Sequence, residues 1–511
     1  MRVEKSRTAQ SARNATVSAL AQVVVVALGL VTRTVFIAQL GVAMVGVNAV
    51  LISIVALLAF ADLGISGAVM FSLYKPLSTD DTETIAAIVR FAGTVFRWVA
   101  LTVGVIGMAL TPFVHEFVRL DGSVEHLELY YLVLLANTVA GYLMLNRVVL
   151  LNADQKVHIT TAYSLLFNTF RSVAQIVSLM VYGSFLLFLV IQVSFTVFNN
   201  VAVYFQAGRL YPHIKSRSAA ITASERRSLL SSVKAMLVYR IGGLLLINST
   251  PVLVSVIVGT VALGYYSNYM LVVGAAVMII EVVFSALVPS VGSLIASGNL
   301  NSARGVFDEM VLLSVLVHGA LSVVLITVID DFMTLWLGSE YVLPTEVVVV
   351  IVLNFYVAGT LLPLLSFRNA TGLFHRTKMF FLFTAAISIV LSFAFGVVFG
   401  LAGVLVAPIV ARLMTLAWYE PWILIREYLS GKVSTYFAFQ FGALLSWIAT
   451  AIVVIEVSEL VPGGLGAELM TKAALLIVVV PAVSWLVFGR TKAFLALAQR
   501  SRSLFLRTQR G

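Results

Sequence analysis

Along nearly its whole length the chain repeats one feature, a mainly apolar stretch of about 20 residues, which is the length a helix needs to cross a bilayer. Lipid offers no partner to backbone N–H and C=O groups, so only helices or a closed barrel can span it. The apolar runs are continuous and lack the ten-residue alternation of barrel strands. Only 11% of the 511 residues are charged and 60% are hydrophobic, whereas soluble domains carry about a quarter charged residues. The predicted fold class is therefore all-α, a polytopic membrane bundle of about fourteen transmembrane helices. The spans run from roughly 16–40 and 42–69 at the start to 435–456 and 470–488 at the end.

Loop charges test that count. The net charge of +10 would suit nucleic acid if it were spread over a soluble face. Here it is confined to alternate loops, which implies membrane lipids as the partner and no nucleic acid. Arg209, Lys215, Arg217, Arg226, Arg227 and Lys234 fall between spans six and seven. Arg368, Arg376 and Lys378 precede span eleven, and Arg490, Lys492, Arg500, Arg502, Arg507 and Arg510 follow the last span. The opposite loops hold Arg119 and Lys472 among nine acidic residues, including Glu116, Asp330, Asp331, Glu340 and Glu468. Lys and Arg mark the cytoplasmic side, so both ends are expected inside a cytoplasmic membrane and the number of spans is even. The basic N-terminus (Arg2, Lys5, Arg7, Arg13) leads into span one without a small-residue cleavage site, which reads as an uncleaved span.

The chain also repeats itself. Gly41 and Gly46 recur as Gly259 and Gly264, 218 positions on. Asn152, Ala153 and His158 recur as Asn369, Ala370 and His375, and Gly183 as Gly400, each 217 positions on. Six spans per repeat keep the two copies in the same orientation, related by an axis along the membrane normal. The expected organisation is an N-terminal lobe over 1–206, a basic linker over 207–233, a C-terminal lobe over 234–430, and two further spans with a basic tail over 431–511. The two six-helix repeats are expected to surround a central cavity. Pro251, Pro289, Pro363 and Pro408 interrupt spans of the second repeat only, and proline kinks helices.

Ionisable residues inside spans are costly and so point to function. Arg33 lies roughly 25 Å from the inner edge of span one and Arg171 about 16 Å into span five, at 1.5 Å per residue. Arg240 sits a turn or two inside span seven, and Arg412 near the middle of span twelve. Asp62 and Glu281 are near-equivalents under the repeat and are candidates for coupling or gating. Guanidinium stays charged and pairs phosphate oxygens in a planar fork, so Arg33, Arg171 and Arg240 suit a diphosphate in a wet cavity. Asn248 and Asn268 are candidate partners for sugar hydroxyls, as is Asn48. Each of these residues also has a structural reading: Arg240 can snorkel, Arg33 and Arg171 can pair internally, and the acids can buttress helix ends. Arg97 and Arg147 read as interface anchors, and His318 as a packed histidine. There is no cysteine, no phosphate loop, no HExxH and no cofactor fingerprint. Neither a cofactor nor a metal is expected, and enzymatic activity is not.

Several stretches resemble a known family. RTVFIAQLG (33–41), ADLGISGAVMFSLYKPL (61–77), GYYSNYMLVV (264–273), LNFYVAGTLLPLLSFRNATGLF (353–374) and WYEP (418–421) are similar to bacterial polysaccharide transporter proteins. These are the oligosaccharide-lipid flippases of the multidrug/oligosaccharidyl-lipid/polysaccharide (MATE-like) superfamily. The resemblance covers spans one to twelve. It implies alternating access and a polyprenyl-diphosphate-linked glycan as cargo, with a coupling ion and with glycosyltransferase or polymerase partners. One position departs: relatives carry Asn-Ser-Thr-Asp-Asn where this chain reads Asn248-Ser249-Thr250-Pro251-Val252, so an intramembrane acid is missing. A drug antiporter of the same superfamily and a non-transporting envelope assembly protein remain alternatives.

Overall fold

The computed structural model describes residues 2–58, 64–120, 122, 124–215, 241–285, 295, 300–371, 374–461 and 464–499. Every regular element among them is helical. Ten helices are long and apolar enough to cross a membrane, and an eleventh span comes from a pair of helices bent by 47°. Two of the ten each contain two expected spans. Helix α1 (Arg2–Leu58) is broken at Gly41, and the helix from Phe374 to Met414 at Gly400. With these breaks and one shorter apolar helix, Ile241–Ile257, each expected span has a helical segment among the described residues.

The breaks have a local cause. Gly41 has φ 79° and Gly259 has φ 130°, and Gly183 and Gly400 have φ 56° and 58°. Left-handed backbone is costly for a residue with a Cβ and free for glycine. Four of the glycines that recur along the sequence, Gly41, Gly183, Gly259 and Gly400, thus reverse or break a helix.

Packing divides the chain into two compact units, 16–267 and 268–511 with residues 1–15. The first contains most of α1, then α2 (Ile65–Ser78), α3 (Thr82–Leu110), α4 (Leu127–Leu143) and α5 (Leu145–Ala153). It continues through α6 (Val157–Tyr182), α7 (Phe185–Leu210), α8 (Ile241–Ile257) and the start of α9 (Thr260–Ser285). Asp81 caps α3 through Thr84, and Ser184 caps α7 through Leu187. Helices α6 and α7 form an antiparallel pair through the Gly183 turn, fixed by Gln175 Nε2 donating to the Phe188 carbonyl at 3.0 Å. Tyr131 of α4 donates to the Gly107 carbonyl of α3 at 3.0 Å. Phe36 of α1 meets Phe185 and Phe188 of α7 edge to face.

Span seven packs with this first unit. The reason is a set of bonds at one end of the unit. Ser255 Oγ donates to the Phe117 carbonyl at 2.7 Å, and the Arg119 N–H donates to Thr260 Oγ1 at 2.9 Å. The Thr260 N–H returns to the Arg119 carbonyl at 2.9 Å, and the Arg119 guanidinium reaches the Ile257 carbonyl at 3.2 Å.

The second unit holds the rest of α9, α10 (Leu300–Trp336), α11 (Thr345–Thr360) and α12 (Leu362–Thr371). It continues with α13 (Phe374–Met414), α14 (Leu416–Pro421), α15 (Val433–Glu459) and α16 (Leu465–Phe488). The last two spans are built into its core: Ala443, Trp447 and Phe488 pack with Leu312, Val315 and Tyr356. Val397, Val398 and Phe399 remain 66–77% exposed, as lipid-facing residues do.

The charge bias makes a topological prediction. Single cysteines at Ser78 and Ser339, both exposed, are expected to react with an impermeant thiol reagent from opposite sides of intact cells, Ser339 from outside. Labelling of both from the same side would contradict it.

Candidate functional site

The first unit carries cationic and amide groups within its spans that protein does not satisfy. Arg171, on α6, is half-buried, and its Nε has no partner among the described residues. Arg147, on α5, is only 9% exposed. Its guanidinium lies 4.9 Å over the Tyr204 ring of α7, yet Nε and Nη1 find no acceptor among the described residues. Sequence reasoning read Arg147 as an interface anchor, and the bend between α4 and α5 instead turns it inward. The amide oxygens of Asn48, Asn137 and Asn199 are likewise buried without a donor. Neighbouring Asn200 is satisfied, donating to the Ala140 carbonyl at 3.2 Å. A buried, unpaired polar group costs several kcal/mol. Water meets both needs, accepting from the guanidinium N–H groups and donating to the amide oxygens.

The other sequence candidates are placed differently. Arg33 is half-buried on α1, one turn before the buried pair Phe36 and Ile37. Asn248 is half-buried on α8 and donates to the carbonyl of Leu244 in its own helix at 3.2 Å. Asn268 is fully buried. Arg240 and Asp62 lie outside the described residues, as does the side chain of Glu281, whose backbone belongs to α9.

In the second unit several polar groups of the spans are matched, while Ser322 Oγ, the Tyr356 hydroxyl and Trp447 Nε1 are buried without a partner among the described residues. Arg412 Nη1 donates to Asn354 Oδ1 at 2.6 Å, and Asn354 Nδ2 donates to the Leu405 carbonyl at 2.7 Å. His318 is 3% exposed, with Nδ1 2.9 Å from the Ser314 carbonyl. Arg368, expected in a loop, is instead a helical residue of α12 with 1% of its surface exposed. Its Nη1 is 2.6 Å from Glu420 Oε1, and its guanidinium stacks over Phe381 at 4.8 Å. Lys472, one of the two cations expected on the outer side, is 2.7 Å from both Asp331 and Glu468.

A titratable cluster closes the opposite end of the first unit. Lys156 is 2.7 Å from Asp154 and 3.0 Å from the hydroxyl of Tyr211, which donates to Asp154 in turn. Burial alone pushes the Asp154 carboxyl up, but the hydrogen bonds from Lys156 and Tyr211 and the lysine charge outweigh it and hold the group below its usual range. The bond to Asp154 raises Lys156, and burial together with that bond pushes Tyr211 up to about 12. A depressed carboxylate stabilises the fold above its unfolded value and stops doing so as pH falls through its folded value. Asp154→Asn is therefore expected to melt below the wild type at pH 7. The gap should close as pH falls into the acid range, through the lowered value of the folded carboxyl, and persist at alkaline pH, where Lys156 stays charged. A gap independent of pH would show that the carboxylate charge is not what matters.

No group of three or more His, Asp or Glu side chains among the described residues is placed to hold a metal ion.

No protein-family model matches the chain, and no curated protein matches it. Solved structures do. A structure described as the lipid II flippase MurJ in an inward closed conformation aligns over 92% of this chain and 98% of its own, with TM-score 0.65 and 14% identity. An inward-facing multidrug resistance MATE family transporter of the MOP superfamily covers 77% of this chain and 93% of its own, with TM-score 0.57 and 13% identity. The Vibrio cholerae MATE transporter VcmN in its bent form covers 81% and 96%, with TM-score 0.53 and 14% identity. At the level of the fold these structures agree with the resemblance read from the motifs. The chain is a multi-pass membrane protein with the fold shared by the flippase and MATE transporters of the MOP superfamily.

Proposed function

We propose that the protein moves a polyprenyl-diphosphate-linked oligosaccharide from the inner to the outer leaflet of a bacterial cytoplasmic membrane by alternating access. The observation that carries this reading is the pair of intramembrane guanidiniums, Arg147 and Arg171, with N–H groups that have no partner among the described residues. A diphosphate supplies the anionic oxygens such groups take up most strongly, and in a low-dielectric setting the exchange for water is favourable. Half-buried Arg33 adds a further intramembrane cation, and Asn48, Asn137, Asn199 and Asn248 offer amides to sugar hydroxyls. That a lipid-linked precursor flippase shares this fold over 92% of the chain supports the same class of cargo. Export of cationic drugs fits poorly, because the described spans of the first unit carry acidic residues only at their ends.

The test is translocation of a defined lipid-linked glycan in proteoliposomes, measured per folded molecule. Loss of one charge-assisted contact removes roughly 1.5–3 kcal/mol, about ten- to a hundredfold in rate or affinity. Arg33→Ala, Arg147→Ala and Arg171→Ala are each expected to fall by that factor. The lysine variants should recover only in part, since ammonium lacks the planar fork. Wild-type rates per molecule with lowered abundance would make these arginines structural and remove the support for the reading.

A further inference from the structure

A cavity of about 260 Å³ opens at one membrane end of the second unit. It lies between the first turns of α10, the segment that follows α14, the start of α15 and the residues after α16. Arg304, Lys432 and Lys492 line it together with one acid, Asp308. Gly431 rests against the Arg304 guanidinium, where a Cβ would stand 3.3 Å from Nη2, so the chain reversal before α15 is what brings Lys432 beside Arg304. None of the three cations is held in an ion pair among the described residues. The opposite wall is apolar, formed by Phe307, Val311 and Phe439. Phe437 and Leu495, on the segments that carry Lys432 and Lys492, are 39% and 53% exposed.

We infer that this cavity binds the headgroup of an inner-leaflet anionic glycerophospholipid, with phosphatidylglycerol as the model ligand. Three cations against one carboxylate leave an excess of two positive charges, which complements a phosphodiester. The apolar wall and the exposed Phe437 and Leu495 give the glycerol backbone and upper acyl chain a surface that a soluble anion would not need. Asp308 is placed to accept from a headgroup hydroxyl. The volume falls just below the roughly 300–1,000 Å³ of drug-sized sites, so it suits a headgroup and excludes a sugar chain. The end of the bundle is the one that the Lys and Arg bias assigns to the cytoplasmic leaflet, where basic pockets between spans meet anionic lipid. This site lies wholly within the second unit and stands independently of the cargo reading.

The test uses the full-length protein, delipidated in detergent, with lipid retention read by intact-protein mass spectrometry. Each interfacial cation contributes about five-fold to anionic lipid affinity, so the triple variant Arg304→Gln, Lys432→Gln, Lys492→Gln is expected to bind phosphatidylglycerol about a hundredfold more weakly. Arg490→Gln, which removes a tail cation outside the cavity, should bind as wild type does. Asp308→Asn should bind more tightly, and it reads the site even if the triple variant fails to fold. Phosphatidylethanolamine should bind weakly and be insensitive to all four changes. Phosphatidylglycerol retention by the triple variant equal to wild type would overturn the assignment. So would displacement of the lipid by equimolar inorganic phosphate, which would make the site one for a soluble anion.

Discussion

Arg368→Ala is expected to destabilise the protein by about 3–5 kcal/mol, the usual cost of removing one partner from a buried ion pair. The pair is dry, with 1% and 2% of the two side chains exposed, and its bond is 2.6 Å long. Thr377 Oγ1 and Asn369 Oδ1 accept further bonds from the guanidinium at 3.4 and 3.1 Å. Truncation at 368 leaves the Glu420 carboxylate without its cation, and truncation at 420 strands a guanidinium. Both losses exceed any Coulombic gain of the intact pair over an apolar one. Arg368→Met combined with Glu420→Leu should therefore recover much of the loss, since apolar replacement of a whole buried pair is often neutral. Arg368→Lys should recover less, because one ammonium cannot meet all three acceptors. Thermal inactivation in detergent and membrane abundance are the measurements. Single variants that melt with the wild type would show that the pair does not hold the second unit together.

This pair also explains two of the motifs that carry the family resemblance. Arg368 belongs to the stretch LNFYVAGTLLPLLSFRNATGLF and Glu420 to WYEP. The motifs lie far apart along the chain and are joined by one buried bond.

Much of the fold was legible in the sequence because bilayer thickness sets span length and the loop charges are segregated. The helix breaks were legible too, since Gly41 and Gly400 sit where positive φ is needed. What the sequence left ambiguous was which way a basic side chain faces. Arg368 lies in a polar run that reads as a loop, and only Glu420, brought up by the turn after α13, makes it a core residue. Arg412 stood out only as a charge near the middle of span twelve, and its partner Asn354 comes from a different span. Arg147 shows the reverse error, because the 47° bend that buries it follows from packing and leaves no periodic signal. Partner choice in a membrane bundle is long-range, so residue type and depth narrow the candidates without selecting among them.

Gly46→Ala and Gly264→Ala are each expected to cost about 1–3 kcal/mol, as overpacking of a tight contact does. A Cβ at 46 would overlap the Thr260 carbonyl, and a Cβ at 264 would overlap that of Val42. Both obstacles are backbone, so neither can swing aside as a flexible side chain would. The arrangement is reciprocal. Val42 and Thr260 each follow a positive-φ glycine, and Gly46 and Gly264 stand five residues beyond Gly41 and Gly259. The repeated motif Gly-x4-Gly thus lets α1 and α9 cross with their backbones in contact, one copy against the other. Since both substitutions push the same two helices apart, the double variant should cost less than the sum, with a coupling of roughly 0.5–3 kcal/mol. The crossing joins the ends of spans two and eight that the charge bias places outside, so parting it should expose those ends. A cysteine at Val42 is expected to react faster with an impermeant reagent in the Gly264→Ala background than in the native one. Unchanged melting together with unchanged labelling would show that the helices do not meet as tightly as their glycines permit.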